Sequence, residues 1–296
     1  VIAGSMWLLW LITAIWAFSF SLIDVYLARS VDSYIAVFLR MLLAASLFLP
    51  ILRWKALRER TAFVLMAIGG VQIGMTYLLL YHAFAYLTVP EILLFTIFTP
   101  LYITLIDELV LNRQHVPLRW WLAAGLAVFG AAVIRYDAVS EDFIVGFLLI
   151  QAANVCFAAG QIAYKRALLG SVREQAQVFG WFFIGALIVS GIGTALFGDW
   201  SRSPQTAVQW GVLIWLGLGA SGLGYLGWNM ATKWVNTGQL ATMNNMLIPA
   251  GILVNFLFWN RDIDWLRLLI GGTIIVASVM LCQARRDLAT PLARES

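Results

Sequence analysis

Apolar runs separated by short polar loops dominate the chain, and their length, about 20 residues, is what a helix needs to cross a bilayer. Ten such runs are read at 6–28, 33–52, 62–86, 88–111, 118–135, 143–166, 176–197, 206–232, 239–259 and 265–284. The expected fold class is therefore an all-α polytopic membrane protein with ten transmembrane helices. Local signals sharpen several starts. Thr88-Val89-Pro90-Glu91 fits a capping box, with Thr88 as N-cap and Glu91 at N3. Ser33 and Ser203-Pro204 read as two further helix starts. Residues 1–5, ahead of Met6, read as a scar, and the helix after them is too long for a signal-peptide core.

The fourth run has an echo in the ninth. Pro100 lies 12 residues before Asn112-Arg113, and Pro249 lies 11 before Asn260-Arg261. Each copy is followed by a Trp-containing turn and a glycine-bearing apolar run, with Gly125 and Gly130 after the first and Gly271 and Gly272 after the second. A repeated, interrupted span points to a transporter built from two halves, with its site between them near the midplane. The halves are expected at 1–136 and 137–296, within one integral membrane domain. Five spans per half is an odd number, so the second half enters from the opposite side and the repeats are inverted. The glycine-rich run Gly217–Gly227 invites two readings, close helix packing or a flexible gate, and so do Gly69, Gly70 and Gly74.

Composition agrees with lipid as the solvent. Of 296 residues, 62% are hydrophobic and 11% charged, and mean hydropathy is +0.86, whereas a soluble domain is about a quarter charged. The net charge of +4 does not indicate nucleic acid, because the basic residues sit in short loops. With the N-terminus inside, inner loops hold 13 Lys and Arg and outer loops 5, which sets an N-in, C-in orientation. Cys156 and Cys282 fall in apolar runs, so a disulfide framework is not expected. No His/Cys cluster has metal-ligand spacing, and no metal or cofactor is expected.

Polar side chains inside spans are costly and mark functional candidates. Helical spacing groups Thr13, Trp16, Phe20 and Asp24 on one face of the first span. It groups Glu91, Phe95, Phe98 and Tyr102 in the fourth, and Asn154 with Gln161 in the sixth. In the third span Gln72, Thr76 and Tyr86 share a face with His82 at its edge, and Tyr77 and Tyr81 form a second pair. Asn244 and Asn245 precede Pro249. Arg40 stands mid-span, where snorkelling or pairing with an acid is the structural expectation and anchoring an anion the functional one. Asp24, Glu91 and His82 are candidates for proton coupling. Together these residues describe a cavity with aromatic walls and a few amide, hydroxyl and imidazole contacts, suited to a small zwitterion or organic solute.

Trp16, Arg40, the 81–87 segment YHAFAYL and the matched spans around Pro100 and Pro249 resemble the drug/metabolite transporter superfamily. The EamA-type exporters are the nearest branch, and among them the YddG-type amino-acid exporters. The resemblance covers essentially the whole chain. It departs at Asn112 and Asn260, where the family usually has Glu. It implies a bacterial inner-membrane, multi-pass exporter of amino acids, aromatic or neutral, and related metabolites, working by alternating access; its partners are expected to be the small-molecule substrate and the lipid bilayer, with no nucleic acid, and the sequence leaves a monomer open without fixing the oligomeric state. It also implies a cavity lined by spans 1, 3, 4, 6, 8 and 9. The substrate-binding residues expected on those spans are Trp16, Phe20, Tyr77, Tyr81, His82, Phe98, Tyr102, Gln161, Tyr164, Trp228, Asn229, Asn244 and Asn245.

Two alternatives stand beside this reading. One keeps the transporter and changes its cargo to cationic drugs, nucleosides or sugar phosphates. The other is an intramembrane serine protease, suggested by Gly219-Ala220-Ser221-Gly222. Such a serine needs a base, and the chain has no histidine after His115, so no catalytic residues are assigned.

Overall fold

A computed structural model describes residues 2–106, 122, 125–126, 129–130, 133, 141–234, 237–259 and 265–283. All regular structure among the described residues is helical. Helix α1 spans Ile2–Tyr26 and α2 spans Ser33–Phe48. Helix α3 runs Thr61–Ala83 and contains a π-helical segment, Gly70–Met75. Helix α4 is broken into Val89–Phe95 and Thr99–Leu105 by a 3-10 turn, Thr96–Phe98. Then come α5 (Glu141–Arg166), α6 (Val172–Phe197) and α7 (Ala207–Thr232), the last with a π segment at Trp215–Leu223. Helices α8 (Thr237–Trp259) and α9 (Trp265–Gln283) follow.

Among the described residues, six of these helices are long and apolar enough to cross a membrane: α1, α2, α3, α5, α6 and α7. Helices α4 and α8 carry shorter apolar stretches, Val89–Ile103 and Met243–Trp259. The expected run at 118–135 lies almost wholly outside the described residues. So do Asn112, Arg113, Asn260 and Arg261, the Asn-Arg part of the echo.

The helix starts follow side-chain caps. The Glu91 carboxylate accepts from the Thr88 backbone N–H at 2.8 Å, as the capping-box pattern requires, and from the Thr88 hydroxyl as well, at 2.8 Å. Helix α2 does begin at Ser33, but its cap is Asp32, which accepts from the Ile35 N–H at 3.1 Å. Ser203-Pro204 does not start α7. Thr206 is the cap, in a box with Gln209, because the preceding residues are taken by the Trp200–Arg202 turn. Helix α6 starts earlier than its apolar run, at a Ser171–Glu174 box.

Packing is tight where glycines permit it. A Cβ on Gly69 would land on the Phe182 carbonyl, and one on Gly185 on the Met66 carbonyl, so α3 and α6 cross backbone to backbone. In α7, Gly217 lies against Leu43, Gly224 against Trp16 and Gly227 against Ile12. Close packing is thus the use these glycines have here. Helix α2 also packs on α6 and α7, α1 on α7 and α8, and α5 on α3 and α4. The outer surface is apolar: Phe63, Ile188, Ile192, Leu253 and Leu257 are among many large exposed hydrophobic residues. Water would oppose such a surface and lipid does not.

Candidate functional site

A cavity of about 90 Å³ lies at the centre of the bundle. Six helices wall it. Helix α1 contributes Thr13, Trp16, Ser19, Phe20 and Ile23, and α3 contributes Thr76, Tyr77 and Leu80. Thr96 and Thr99 come from α4, and Ile150, Ala153, Asn154 and Phe157 from α5. Tyr225 and Trp228 of α7 and Asn244 and Leu247 of α8 complete it. These six helices carry the first, third, fourth, sixth, eighth and ninth predicted spans.

Two helix breaks shape this wall. In α4 the Thr99 N–H bonds the Thr96 carbonyl, as a 3-10 turn demands. The Phe95 carbonyl, which Thr99 would serve in a regular helix, instead accepts from Asn154 Nδ2 at 2.8 Å. Thr99 Oγ1 donates back to Asn154 Oδ1 at 3.3 Å. In α7 the Gly224 N–H reaches the Gly219 carbonyl across the π turn. The Ala220 carbonyl accepts the Trp16 indole N–H, at 2.7 Å. The Trp16 ring then lies 4.9 Å from that of Tyr225 and 4.8 Å from that of Trp228, closing an aromatic wall. The Trp228 Nε1 has no partner among the described residues.

Behind this wall sits Arg40, fully buried. Its Nε donates to Ser221 Oγ at 2.7 Å, Nη1 to the Tyr81 hydroxyl at 3.2 Å and Nη2 to the Tyr77 hydroxyl at 2.7 Å. The guanidinium carbon is 4.0 Å from the Tyr77 ring centroid. Arg40 therefore neither snorkels nor pairs with an acid among the described residues, against both structural expectations. The polar groups that hold it come from α3 and α7 and are hydroxyls.

The expected site residues divide accordingly. Trp16, Phe20, Tyr77, Trp228 and Asn244 line the cavity. Tyr81 is one layer behind it, on Arg40. Phe98 is buried and packs edge-on to Phe147. The Tyr102 hydroxyl donates to Gln151 at 3.0 Å. Asn229 is paired with Gln72, in bonds of 2.9 and 3.4 Å. Gln161 is buried with both side-chain polar atoms unpartnered, and Asn245 Oδ1 is likewise unpartnered among the described residues. Tyr164 lies further along α5, bonded to Gln175 at 3.3 Å. Lys233, just past α7, stands over its ring at 5.2 Å, and burial pushes that amine below the usual lysine range. His82 is not at the cavity. It bonds the Leu78 carbonyl at 2.6 Å and stacks edge-on to Tyr34, in an outward groove with Leu196 and Phe197. Glu91 is engaged at its helix cap, and Asp24 is buried near the end of α1. Sequence reasoning missed Asn154's role in serving α4 and Ser221's in holding Arg40, and it missed Thr99 and Tyr225. Only the proline at 100 and the glycine run signalled that backbone groups there would need outside partners.

A bundle of apolar helices around a central cavity, walled by six aromatic side chains among aliphatic and hydroxyl or amide ones, is the architecture of a membrane transporter. Residues 4–136 match the EamA-like transporter family. A probable biotin transporter of Pseudomonas aeruginosa is 49% identical over 271 residues, covering 90% of this chain and 94% of its own. Biotin transporters of Salmonella typhimurium and Escherichia coli K12 are each 46% identical over 276 residues, covering 93% of this chain and 91% of their own. The chain belongs to the EamA-like transporter family. It is a multi-pass protein of the bacterial inner membrane and not an enzyme, and Ser221, accepting from Arg40, is no protease nucleophile. A crystal structure at 16% identity superposes with a TM-score of 0.63 over 97% of this chain and 99% of its own, a likeness of fold.

Proposed function

We propose that the protein carries biotin, or a solute of its chemistry, through the central cavity by alternating access. The observation that carries this is the cavity itself, enclosed by three helices from each half of the chain. An apolar ring system suits the walls of Trp16, Phe20, Tyr225 and Trp228, and a cyclic urea carbonyl could accept the Trp228 N–H, which has no partner among the described residues. The curated relatives carry biotin in their names, and none carries an amino acid. The amino-acid cargo, and with it the YddG-type resemblance, therefore gives way to biotin. At about 90 Å³ the cavity is smaller than the few hundred Å³ usual for such ligands, so cargo entry requires the helices to part.

The architecture in this proposal is ten spans, N-in and C-in, in two inverted halves divided near residue 136. Its support is the packing pattern. Exchanging α1 with α5, α2 with α6, α3 with α7 and α4 with α8 turns the most extensive contacts into one another, and α2 on α6 and α4 on α8 into themselves. Thus α1 on α8 becomes α5 on α4, α1 on α7 becomes α5 on α3, and α2 on α7 becomes α6 on α3. The two π segments, in α3 and α7, also exchange.

The test is uptake of radiolabelled biotin into proteoliposomes, with aromatic amino acids run in parallel and empty vesicles as the blank. Saturable biotin uptake, competed by unlabelled biotin and absent for amino acids, is expected. Flux of an amino acid without flux of biotin would restore the amino-acid cargo.

A further inference from the structure

Three features of Arg40 stand together. It is a permanent cation in the middle of a membrane bundle, with none of its surface exposed. Among the described residues it has no carboxylate partner, and three of its N–H groups meet neutral hydroxyls. One of those hydroxyls belongs to Tyr77, which is part of the cavity wall. A buried cation is ordinarily compensated by a counter-charge. Among the described residues, no acidic side chain lines the cavity beside it. Among the described residues the site is therefore one negative charge short.

We infer that Arg40 sets the charge of the cargo: it positions Tyr77 to bind a carboxylate, so that the transporter selects organic anions over neutral, zwitterionic and cationic solutes. Arg40 can only donate hydrogen bonds. With Nη2 donating to the Tyr77 oxygen, the Tyr77 O–H must donate elsewhere, and Tyr77 borders both the Tyr225 ring and the cavity. A carboxylate there gains a charge-assisted hydrogen bond and a nearby compensating charge. An ammonium there meets the same positive field, with no acid among the cavity's described lining residues to receive it. The inference rests on the central cavity being the cargo site, and it extends the biotin reading to that molecule's carboxylate tail. A purely structural clamp between α2, α3 and α7 would need hydrogen bonds from Arg40 and not its charge, and this separates the two roles experimentally.

The experiment measures inhibition of radiolabelled biotin uptake in proteoliposomes by unlabelled biotin, by its neutral primary amide and by a cationic amine derivative. For the parent protein, biotin is expected to compete at least about tenfold better than the amide, with the cation weakest. In Arg40→Gln that preference should fall to near one, whatever the absolute rate, and Arg40→Lys should restore most of it. Equal weakening of biotin and amide, with the ratio kept, would assign Arg40 to clamping and overturn the inference. If Arg40→Gln fails to fold, Tyr77→Phe keeps the cation and the ring, and an unchanged ratio in it is equally fatal. Absence of any biotin flux in the parent would sink the biotin reading alone. The charge inference would then be judged by thermal shifts with lipoate against lipoamide and valerate against valeramide. Stabilisation by the acids over their amides, lost in Arg40→Gln, would sustain it, and no such difference would end it.

Discussion

The breaks in α4 and α7 do the same thing by opposite means. In α4 the backbone tightens: a 3-10 turn ahead of Pro100 draws the Thr99 N–H to Thr96 and leaves the Phe95 carbonyl to Asn154. In α7 the backbone widens: a π turn draws the Gly224 N–H to Gly219 and leaves the Ala220 carbonyl to Trp16. Each released carbonyl is served by a cavity-lining side chain from the opposite half of the chain. A carbonyl freed within lipid has no water to turn to, so the break is tolerable only where protein supplies the donor. The difference lies in what else each break does. The α4 turn is answered by one amide, which also accepts from Thr99. The α7 turn brings Ser221 to Arg40 as well, so it joins the cavity wall to the buried charge. Irregular backbone thus marks the cavity from both sides.

The strongest way to break this comparison is to remove the α4 partner. Asn154→Leu takes the side-chain donor from the Phe95 carbonyl and the acceptor from the Thr99 hydroxyl together, and a buried polar group that loses its partner costs about 1–3 kcal/mol. Stability in detergent, read by thermal denaturation, should fall by about 2 kcal/mol, and biotin flux should fall with it. An unchanged melting temperature would mean that the break sustains itself. On the α7 side, Trp16→Phe keeps an aromatic ring against Tyr225 and Trp228 while deleting the N–H together with a few atoms of the indole. It should cost about 1 kcal/mol, less than Asn154→Leu, because the single bond to Ala220 is lost and the ring contacts largely remain. Its transport phenotype should be a raised KM. A larger loss of stability than in Asn154→Leu would reverse the ranking and make α7 the more dependent break.

These breaks also explain what the sequence conceals. Helix extents are legible because a long apolar run has one meaning in lipid, and the Thr88–Glu91 box and Pro100 are local signals. Trp16, Phe20 and Tyr77 are readable as cavity residues, since α1 is regular and Tyr77 lies just past the π segment of α3. His82 is not. Grouping by 3.6 residues per turn assumes an unbroken α-helix, and the wide turn at Gly70–Met75 shifts the phase of the residues beyond it. The cavity face of α3 becomes Thr76, Tyr77 and Leu80, and His82 turns to Tyr34. Arg40 is legible as an anomaly but not in its surroundings, because its partners are 37, 41 and 181 residues away in sequence. The proline echo is half informative. Pro100 adjoins a break, whereas Pro249 sits inside a helix that runs without interruption from Thr237 to Trp259.

The smallest effect on stability, and the finest test, is expected from Pro100→Ala. Proline cannot supply the N–H that a regular helix would direct to the Thr96 carbonyl, and its ring crowds that same carbonyl. Alanine removes both obstacles. If the proline holds the break open, the α4 backbone can return toward α-helical pairing, with Thr99 recovering the Phe95 carbonyl and Asn154 losing its acceptor. Gains in helix pairing and the loss of the Asn154 bond then oppose each other, so net stability should move by less than about 1 kcal/mol. Transport should nevertheless fall several-fold, because Thr96, Thr99 and Asn154 all line the cavity. The double variant Pro100→Ala with Asn154→Leu separates the causes. If alanine has closed the helix, the second substitution costs far less than it does beside proline, because the Phe95 carbonyl no longer depends on it. Additive costs would instead show that Asn154 imposes the break and that the proline only tolerates it.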